Sequence, residues 1–353
     1  MILPTTYEAA LLLLIVSMFC WGSWANTQKL TGKWRFELFY YDYSLGVLLC
    51  AAIAAVTFGE LMPKELTFSD NLLLAGKRQM AYGVAGGAVF NLANMLLVAA
   101  ISVAGMAVAF PIAIGLALVI GTVWNFALNP QGNPILLFGG ALLVVVAIVI
   151  DAFAYAAFVQ TKLEAAVTAV GEDPRAKRRA AQGPGAGPGV ILSVVSGILM
   201  GMFYPLVEIG KEGDNGVGPY GIALLFGGGV LLSSLLYVPF FMTFPVSGAP
   251  LELRQYLQGT RRQHLLGLAG GAVWMIGAIT NFVAASTPVA VQVGPAVSYA
   301  LGQGATLVSA LWGLLVWKEF AGANDRVKML LVVMLVLFVS GLAMISVAPL
   351  NAK

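Results

Sequence analysis

Ten apolar runs, each long enough to cross a lipid bilayer, constrain the fold of this chain most. A helix needs about 20 mostly apolar residues to span the hydrocarbon core. Charged residues make up only 10% of the 353 residues, against roughly 25% in soluble domains. The sequence therefore predicts an all-α membrane protein with ten transmembrane helices. The predicted spans are approximately 7–28, 37–58, 80–101, 103–127, 134–158, 190–210, 219–244, 264–285, 288–316 and 328–349.

The two halves of the chain resemble each other. The string GVAGGAV from Gly83 recurs as GLAGGAV from Gly267, an offset of 184 residues, and the same offset superposes Pro111 on Pro295. Each half holds five spans, so the second half must enter the membrane from the opposite side. Inverted repeats of this kind are typical of alternating-access carriers. We predict a first five-helix repeat at 1–165, a Gly/Pro/basic linker at 166–189 and a second repeat at 190–353.

Lysine and arginine are distributed unevenly between the two ends of the predicted spans. Fourteen of them fall on the side of the linker and only five on the side of the termini. Because cytoplasmic loops are enriched in Lys and Arg, we expect a cytoplasmic linker and both termini outside an inner membrane. The lipid bilayer is thus one predicted partner. The net charge of +3 gives no reason to expect nucleic acid.

Acidic residues avoid the middle of the spans, where a charge costs at least about 2.5–3.5 kcal/mol. Asp42 lies in the string YYDY near the cytoplasmic end of span 2, and Glu208 lies near the outer end of span 6. A proton-coupled carrier needs a group whose protonation changes between its access states, so these two acids are the predicted coupling residues. Asp42 is preferred because Lys211 can pair with Glu208. Asp151 is interpreted as marking the membrane interface, and the single His264 as solvated.

Neutral amides and aromatic residues occupy the middle of the spans instead. Span 9 carries Gln292, Tyr299 and Gln303, and the repeat-related positions of span 4 carry only valine or glycine. Packing alone would favour the same residues in both copies, so this difference favours ligand recognition, although amides also link helices. The predicted substrate-binding residues are Trp21, Trp24, Gln28, Asn91, Asn94, Tyr204, Trp274, Asn281, Gln292, Tyr299 and Gln303.

Several short motifs resemble those of the drug/metabolite transporter superfamily. WGSWANTQK from Trp21 and KWRFE from Lys33 are similar to the rhamnose–proton and glucose-uptake branch. YYDY at 40–43, FYPL from Phe203, the loop 245–256 and WGLLVWKEF from Trp312 resemble the ureide permease family more closely. The resemblance implies a central site lined by helices 1–4 and 6–9. It also implies proton-coupled uptake of a compound such as allantoin or uracil, and a homodimer formed through helices 5 and 10.

These observations together predict a secondary active importer of a small, neutral, polar solute, with a proton or a sodium ion as its coupling partner. A ureide or nucleobase is the preferred substrate, because amides donate and accept hydrogen bonds along such edges. A sugar–proton symporter is the alternative. A membrane-embedded enzyme is less favoured, since no nucleophile–base, paired-acid or metal motif is present, and no cofactor is expected. A scaffold would not need its polar residues concentrated in one repeat.

Overall fold

The computed structural model describes residues 1–61, 66–169, 186–246, 248–287 and 293–351. Within these ranges there is no β-strand, and ten helices are long and apolar enough to cross a membrane. This confirms the predicted all-α membrane fold. The spans are Tyr7–Leu30, Phe36–Val56, Lys77–Ala104, Val108–Leu128, Pro134–Lys162, Pro188–Lys211, Pro219–Thr243, Arg261–Ala285, Pro295–Val316 and Asp325–Val347.

Span 1 consists of two helices, Tyr7–Ser23 and Ala25–Leu30. Span 9 consists of the helices Pro295–Gly302 and Ala305–Leu311, followed by a π-helical turn at Trp312–Val316. Two shorter helices, Phe68–Leu74 and Leu253–Leu257, lie in loops outside the spans.

The helices of spans 5 and 6 extend further than the sequence predicted. The span 5 helix continues to Ala169 and the span 6 helix begins at Ala186, so both enter the predicted linker. The stretch LEAAVTA that ends the span 5 helix contains four good helix formers, Leu, Glu and two alanines, before its β-branched residues. The rest of the predicted linker lies outside the described residues.

Contacts between spans occur in pairs that exchange the two halves of the chain. Span 3 packs on span 6 and span 8 on span 1; span 3 packs on span 7 and span 8 on span 2; span 4 packs on span 6 and span 9 on span 1. Spans 5 and 10 pack on each other at the periphery. The two predicted repeats, exchanged with each other, would have this pairing; their bounds stay a prediction.

Glycines of the repeated string allow the closest of these contacts. A Cβ atom on Gly87 of span 3 would lie 2.1 Å from the carbonyl oxygen of Phe226 in span 7. Its repeat equivalent, Gly271 of span 8, would place a Cβ 1.9 Å from the carbonyl oxygen of Tyr43 in span 2. The repeated string thus serves the same packing role in both halves.

We expect Gly271→Ala to lower the free energy of unfolding by roughly 1–3 kcal/mol, because overpacking a tight contact forces the backbones apart. The measurement is thermal unfolding of the purified protein in detergent. Gly228→Ala in span 7 is the matched control, since a Cβ there meets no atom within 4 Å. Equal losses in the two variants would show that the close contact is not responsible.

Candidate functional site

The candidate site lies where two spans are interrupted. The helix of span 1 is interrupted at Trp24, and that of span 9 between Gly302 and Ala305. Span 1 touches span 9 closely there, since a Cβ on Gly22 would lie 2.5 Å from the carbonyl oxygen of Ala305. The repeat partners, spans 6 and 4, are each a single helix. Discontinuous spans near the midplane are typical of transporter binding sites.

A cavity of about 170 Å³ lies beside these interruptions. This volume is below the roughly 300–1,000 Å³ of pockets that hold drug-sized ligands, and it suits a smaller solute. Spans 1, 3, 4, 6, 8 and 9 line it, six of the eight helices that the resemblance implied. Its lining includes five of the predicted substrate-binding residues, namely Trp21, Trp24, Asn94, Trp274 and Gln303.

Aromatic rings form one wall of this cavity. Trp274 stacks on Trp21 with a centroid distance of 5.7 Å and on Phe226 with a distance of 5.5 Å. Phe90 lies 4.2 Å from Trp274, and the indole N–H of Trp21 donates to the Trp274 carbonyl at 3.1 Å. These contacts fix the rings in place before a ligand binds. The wall therefore presents flat apolar faces on which a planar solute can stack.

Polar groups with open hydrogen-bonding capacity face the same cavity. The amide nitrogen of Asn94 donates to the Tyr40 hydroxyl at 3.2 Å, which leaves its oxygen available. Gln303 is only 8% exposed and lies at the end of the first span 9 helix. Within the described part of the chain its carboxamide makes no hydrogen bond. Gln303 lines the cavity, so its carboxamide is available to a ligand there.

The other predicted amide and tyrosine side chains bond within the protein, Asn91 only through its nitrogen. The Asn91 amide nitrogen contacts the carbonyl of Val230 and two serine hydroxyls of span 7, while its buried oxygen has no hydrogen-bond partner among the described residues. Asn281 accepts a hydrogen bond from the Tyr204 hydroxyl at 2.6 Å and donates to span 9 and span 1. Tyr299 donates to the Ala117 carbonyl at 3.0 Å. None of these side chains lines the cavity.

Two further predicted residues do not join the site. Gln28 lies in the short second helix of span 1, half-buried, and does not line the cavity. Gln292 lies outside the described residues.

Three residues that line the cavity were not predicted from the sequence, namely Phe90, Thr306 and Ser309. A signal existed for Thr306, because the repeat offset superposes it on another threonine, at position 122.

Three of the satisfied residues form a buried layer that closes the cavity on one side. These residues are Tyr204 of span 6, Asn281 of span 8 and Tyr299 of span 9. Along its own span, each lies between residues that line the cavity and residues that line a second pocket. That pocket, of about 350 Å³, contains Glu208 and lies on the predicted outer side. The tyrosine rings contact each other at 5.2 Å, and each of the three residues is fully buried.

The opposite side of the cavity continues into a vestibule. This vestibule is a separate cavity of about 200 Å³, and it shares four lining residues with the central one: Ala25, Phe110, Thr306 and Ser309. It extends toward the predicted cytoplasmic ends of the spans. The central cavity thus adjoins the vestibule on one side and the buried layer on the other.

Asp151 lies on the wall of this vestibule. The sequence was interpreted as placing it at the membrane interface. In the vestibule Lys29 pairs with Glu319 at 2.5 Å and lies over the Trp317 ring at 4.4 Å from its centroid. Asp151 therefore faces a charged passage rather than lipid headgroups alone.

The two predicted coupling acids lie outside the central cavity, near opposite ends of their spans. Glu208 pairs with Lys211 at 2.8 Å, and both side chains are buried. Asp42 is 5% exposed, and the Nδ1 atom of His264 lies 2.7 Å from its Oδ2 atom. The expectation that His264 is simply solvated is wrong, because span 8 begins against span 2 and places the partly exposed imidazole in contact with Asp42.

Comparison with known proteins identifies the class of this membrane protein. A family model described as Ureide permease matches residues 39–183. Ureide permease 1 of Arabidopsis thaliana is 24% identical to the chain over 98% of each sequence. Ureide permease 4 of the same plant is 23% identical over 96% of this chain and 97% of its own. The chain is a relative of the ureide permeases. It is therefore a transporter and not an enzyme.

The fold has a counterpart among solved structures as well. One described only as a crystal structure of a protein covers 96% of each chain with a TM-score of 0.58. Its sequence identity of 17% supports the shared fold alone. For this ureide-permease relative, the site described above thus rests on its own residues.

We expect Gln303→Ala to weaken solute binding by roughly 1–3 kcal/mol, the cost of removing one partner of a buried polar contact. The measurement is equilibrium binding to the purified protein, with labelled uracil, allantoin or glucose as probe, whichever binds the wild type. Val119→Ala, at the repeat-related position, is the control. Val119 is 46% exposed on the outer surface of the bundle, so its truncation should leave binding unchanged. A similar loss at both positions would assign Gln303 to packing.

Proposed function

We propose that this chain is a proton-coupled importer of a small, planar, neutral solute of the ureide or nucleobase type. The observation that carries the proposal is the unpaired Gln303 carboxamide, which faces a cavity walled by tryptophan and phenylalanine rings. The relatives are named ureide permeases, and this name indicates the same class of substrate.

The chemistry of the cavity fits such a solute. Ureides and nucleobases carry alternating N–H and C=O groups along one edge, and a carboxamide can both donate to and accept from that edge. Gln303 and the free oxygen of Asn94 supply these groups, and the Trp274 wall supplies a stacking face. The cavity lining contains no charged residue, which favours a neutral solute over an ion.

Import requires that the site open alternately to the two sides. The cavity opens through the vestibule, and the layer of Tyr204, Asn281 and Tyr299 closes the other side. We propose that this is the inward-facing state and that the layer separates in the outward-facing one. Asp42 and Glu208 remain the proposed coupling acids, and a homodimer through spans 5 and 10 remains a prediction.

Reconstituted vesicles test the transport function. We expect labelled uracil or allantoin to accumulate when a pH gradient is imposed, and unlabelled ureide to compete better than rhamnose or glucose. Asp42→Asn should abolish gradient-driven accumulation and leave exchange at equal pH largely intact, because only the coupling proton is lost. Glu208→Gln should have a milder effect, because Glu208 pairs with Lys211 and is therefore the less favoured coupling acid.

Three results would contradict parts of this proposal. Preferential competition by sugars would support the sugar–proton alternative. A sodium requirement without a pH response would exclude proton coupling. Normal gradient-driven uptake by the Asp42→Asn protein would remove that acid from the mechanism.

The proposed orientation has a separate test. With Cys20 and Cys50 replaced by alanine, Asp214→Cys should react with an impermeant thiol reagent in intact cells, and Arg261→Cys should not. Asp214 lies in a loop and Arg261 at the start of span 8, on opposite sides by the span count, and the Lys/Arg distribution predicts that Arg261 is inside. If the reactivities are exchanged, the orientation is inverted; if both sites react, the span count is wrong.

A further inference from the structure

We propose that Asp42, His264 and Tyr256 form one proton-exchange site at the predicted cytoplasmic end of the bundle. In this site His264 and Tyr256 are positioning residues that tie the protonation of Asp42 to the contact between spans 2 and 8. The inference rests on the proposed proton coupling and adds the groups that would carry it out.

Each carboxylate oxygen of Asp42 has a separate partner. The Tyr256 hydroxyl donates to Oδ1 at 2.9 Å, and His264 Nδ1 lies 2.7 Å from Oδ2. The three residues come from span 2, the loop helix Leu253–Leu257 and the start of span 8. The His264 side chain is 26% exposed and that of Asp42 only 6%, so the imidazole is the exposed edge of the site.

Aromatic rings enclose the three groups. Trp34 stacks on the Tyr256 ring at 6.4 Å and meets the edge of His264 at 5.1 Å. Tyr41 covers Tyr256 from span 2 at 5.1 Å. Exclusion of water by these rings strengthens the interaction between the carboxylate and the imidazole.

Other charged groups near the site have their own partners or face outward. Arg35 pairs with Glu37 and donates to the Ala249 carbonyl in the same loop. Arg261 and Arg262 are exposed at the start of span 8. Span 7, which also packs on span 2, contains no Asp, Glu, Lys, Arg or His. Lys29 at the end of span 1 pairs with Glu319. Within the described part of the chain, His264 is thus the only basic side chain bonded to Asp42.

Protonation changes what this arrangement can satisfy. An ionised carboxylate accepts both hydrogen bonds, but a protonated one has an O–H group that must itself donate. Burial and the neighbouring Asp42 carboxylate raise the pKa of the Tyr256 hydroxyl, so Tyr256 stays a donor through the neutral range. A proton placed on Asp42 Oδ2 must be donated to His264 Nδ1, which accepts only when that nitrogen carries no proton. When Nδ1 keeps its own proton, one of the two hydrogen bonds is lost and the contact between the three elements weakens.

The same helices reach the central cavity. Tyr40, two residues before Asp42, accepts the hydrogen bond from Asn94 in the cavity wall. Trp274 lies ten residues after His264 on the continuous span 8 helix, a distance of about 15 Å. Spans 2 and 8 are in direct contact at the site, since a Cβ on Gly267 would lie 2.5 Å from the Asp42 Cβ. A shift between these spans thus acts on the cavity directly through Trp274 and indirectly through the hydrogen bond between Tyr40 and Asn94.

The test compares His264→Gln and Tyr256→Phe in vesicles, with the initial rate of gradient-driven uptake of uracil or allantoin measured as a function of pH. Removal of the imidazole takes away the hydrogen bond at Asp42 Oδ2. We expect the proton-releasing limb of the profile to move by about one pH unit, because this bond is one of the two that hold the carboxylate. Tyr256→Phe should move it in the same direction by less. KM should stay within about twofold, because neither side chain touches the cavity.

Two control variants are matched to these changes. Arg262→Gln removes an exposed charge beside His264, and Tyr41→Phe removes a hydroxyl from a ring that contacts Tyr256; both should keep the wild-type profile. An unchanged profile in both His264→Gln and Tyr256→Phe would overturn the proposal. Tyr256→Phe retains the ring packing, so it decides the matter if His264→Gln does not fold.

The same experiment separates this proposal from the proposed function. Absence of pH-driven uptake by the wild-type protein, with exchange intact, would reject proton coupling itself. Absence of any uptake or exchange of the tested solutes would reject the substrate class. One result would reject the three-residue site alone. In that result the wild-type protein shows pH-driven uptake, and both His264→Gln and Tyr256→Phe keep the wild-type pH profile.

Discussion

Close contact between spans at two repeat-related glycines is the constraint on which the rest of the structure depends. Gly87 lets span 3 lie against span 7, and Gly271 lets span 8 lie against span 2. In a bilayer, small residues of this kind drive association, because lipid tails are as apolar as the side chains they touch. These contacts place Asn94 of span 3 and Trp274 of span 8 on facing walls of one cavity. The packing glycines thus position a site to which they contribute no functional group.

The site itself breaks the symmetry that the packing keeps. Gly87 and Gly271 are equivalent in both sequence and contact, whereas Gln303 has a lipid-exposed valine, Val119, as its equivalent. Interrupted helices occur in spans 1 and 9, and their repeat partners are continuous. A solute without two-fold symmetry needs different groups around it, so a carrier can keep symmetric packing for its movement and use one copy of each position for recognition.

Helix number and helix order could be predicted from sequence, because run length and spacing are local properties that the bilayer enforces. The cavity lining could be predicted only in part. Trp274 and Gln303, both predicted to bind substrate, line the cavity, but Asn281 does not, because it bonds to Ser17 and Tyr204, which are distant in sequence. A residue's polarity shows that it needs a partner, and only the fold shows whether the protein supplies one. The same reasoning explains His264, whose partner is 222 residues away.

Charges in this protein are arranged so that none has to cross the middle of the membrane. Asp42 and His264 lie at one end of the bundle, Glu208 and Lys211 lie at the other, and the cavity between them is lined by neutral groups. Removing one partner of a buried pair is costly, because it leaves a charge uncompensated. Changing the protonation of a pair near the end of a span costs less free energy, because the pair is close to water. The proposed mechanism follows this arrangement, with a neutral solute in the centre and changes of protonation only at the two ends.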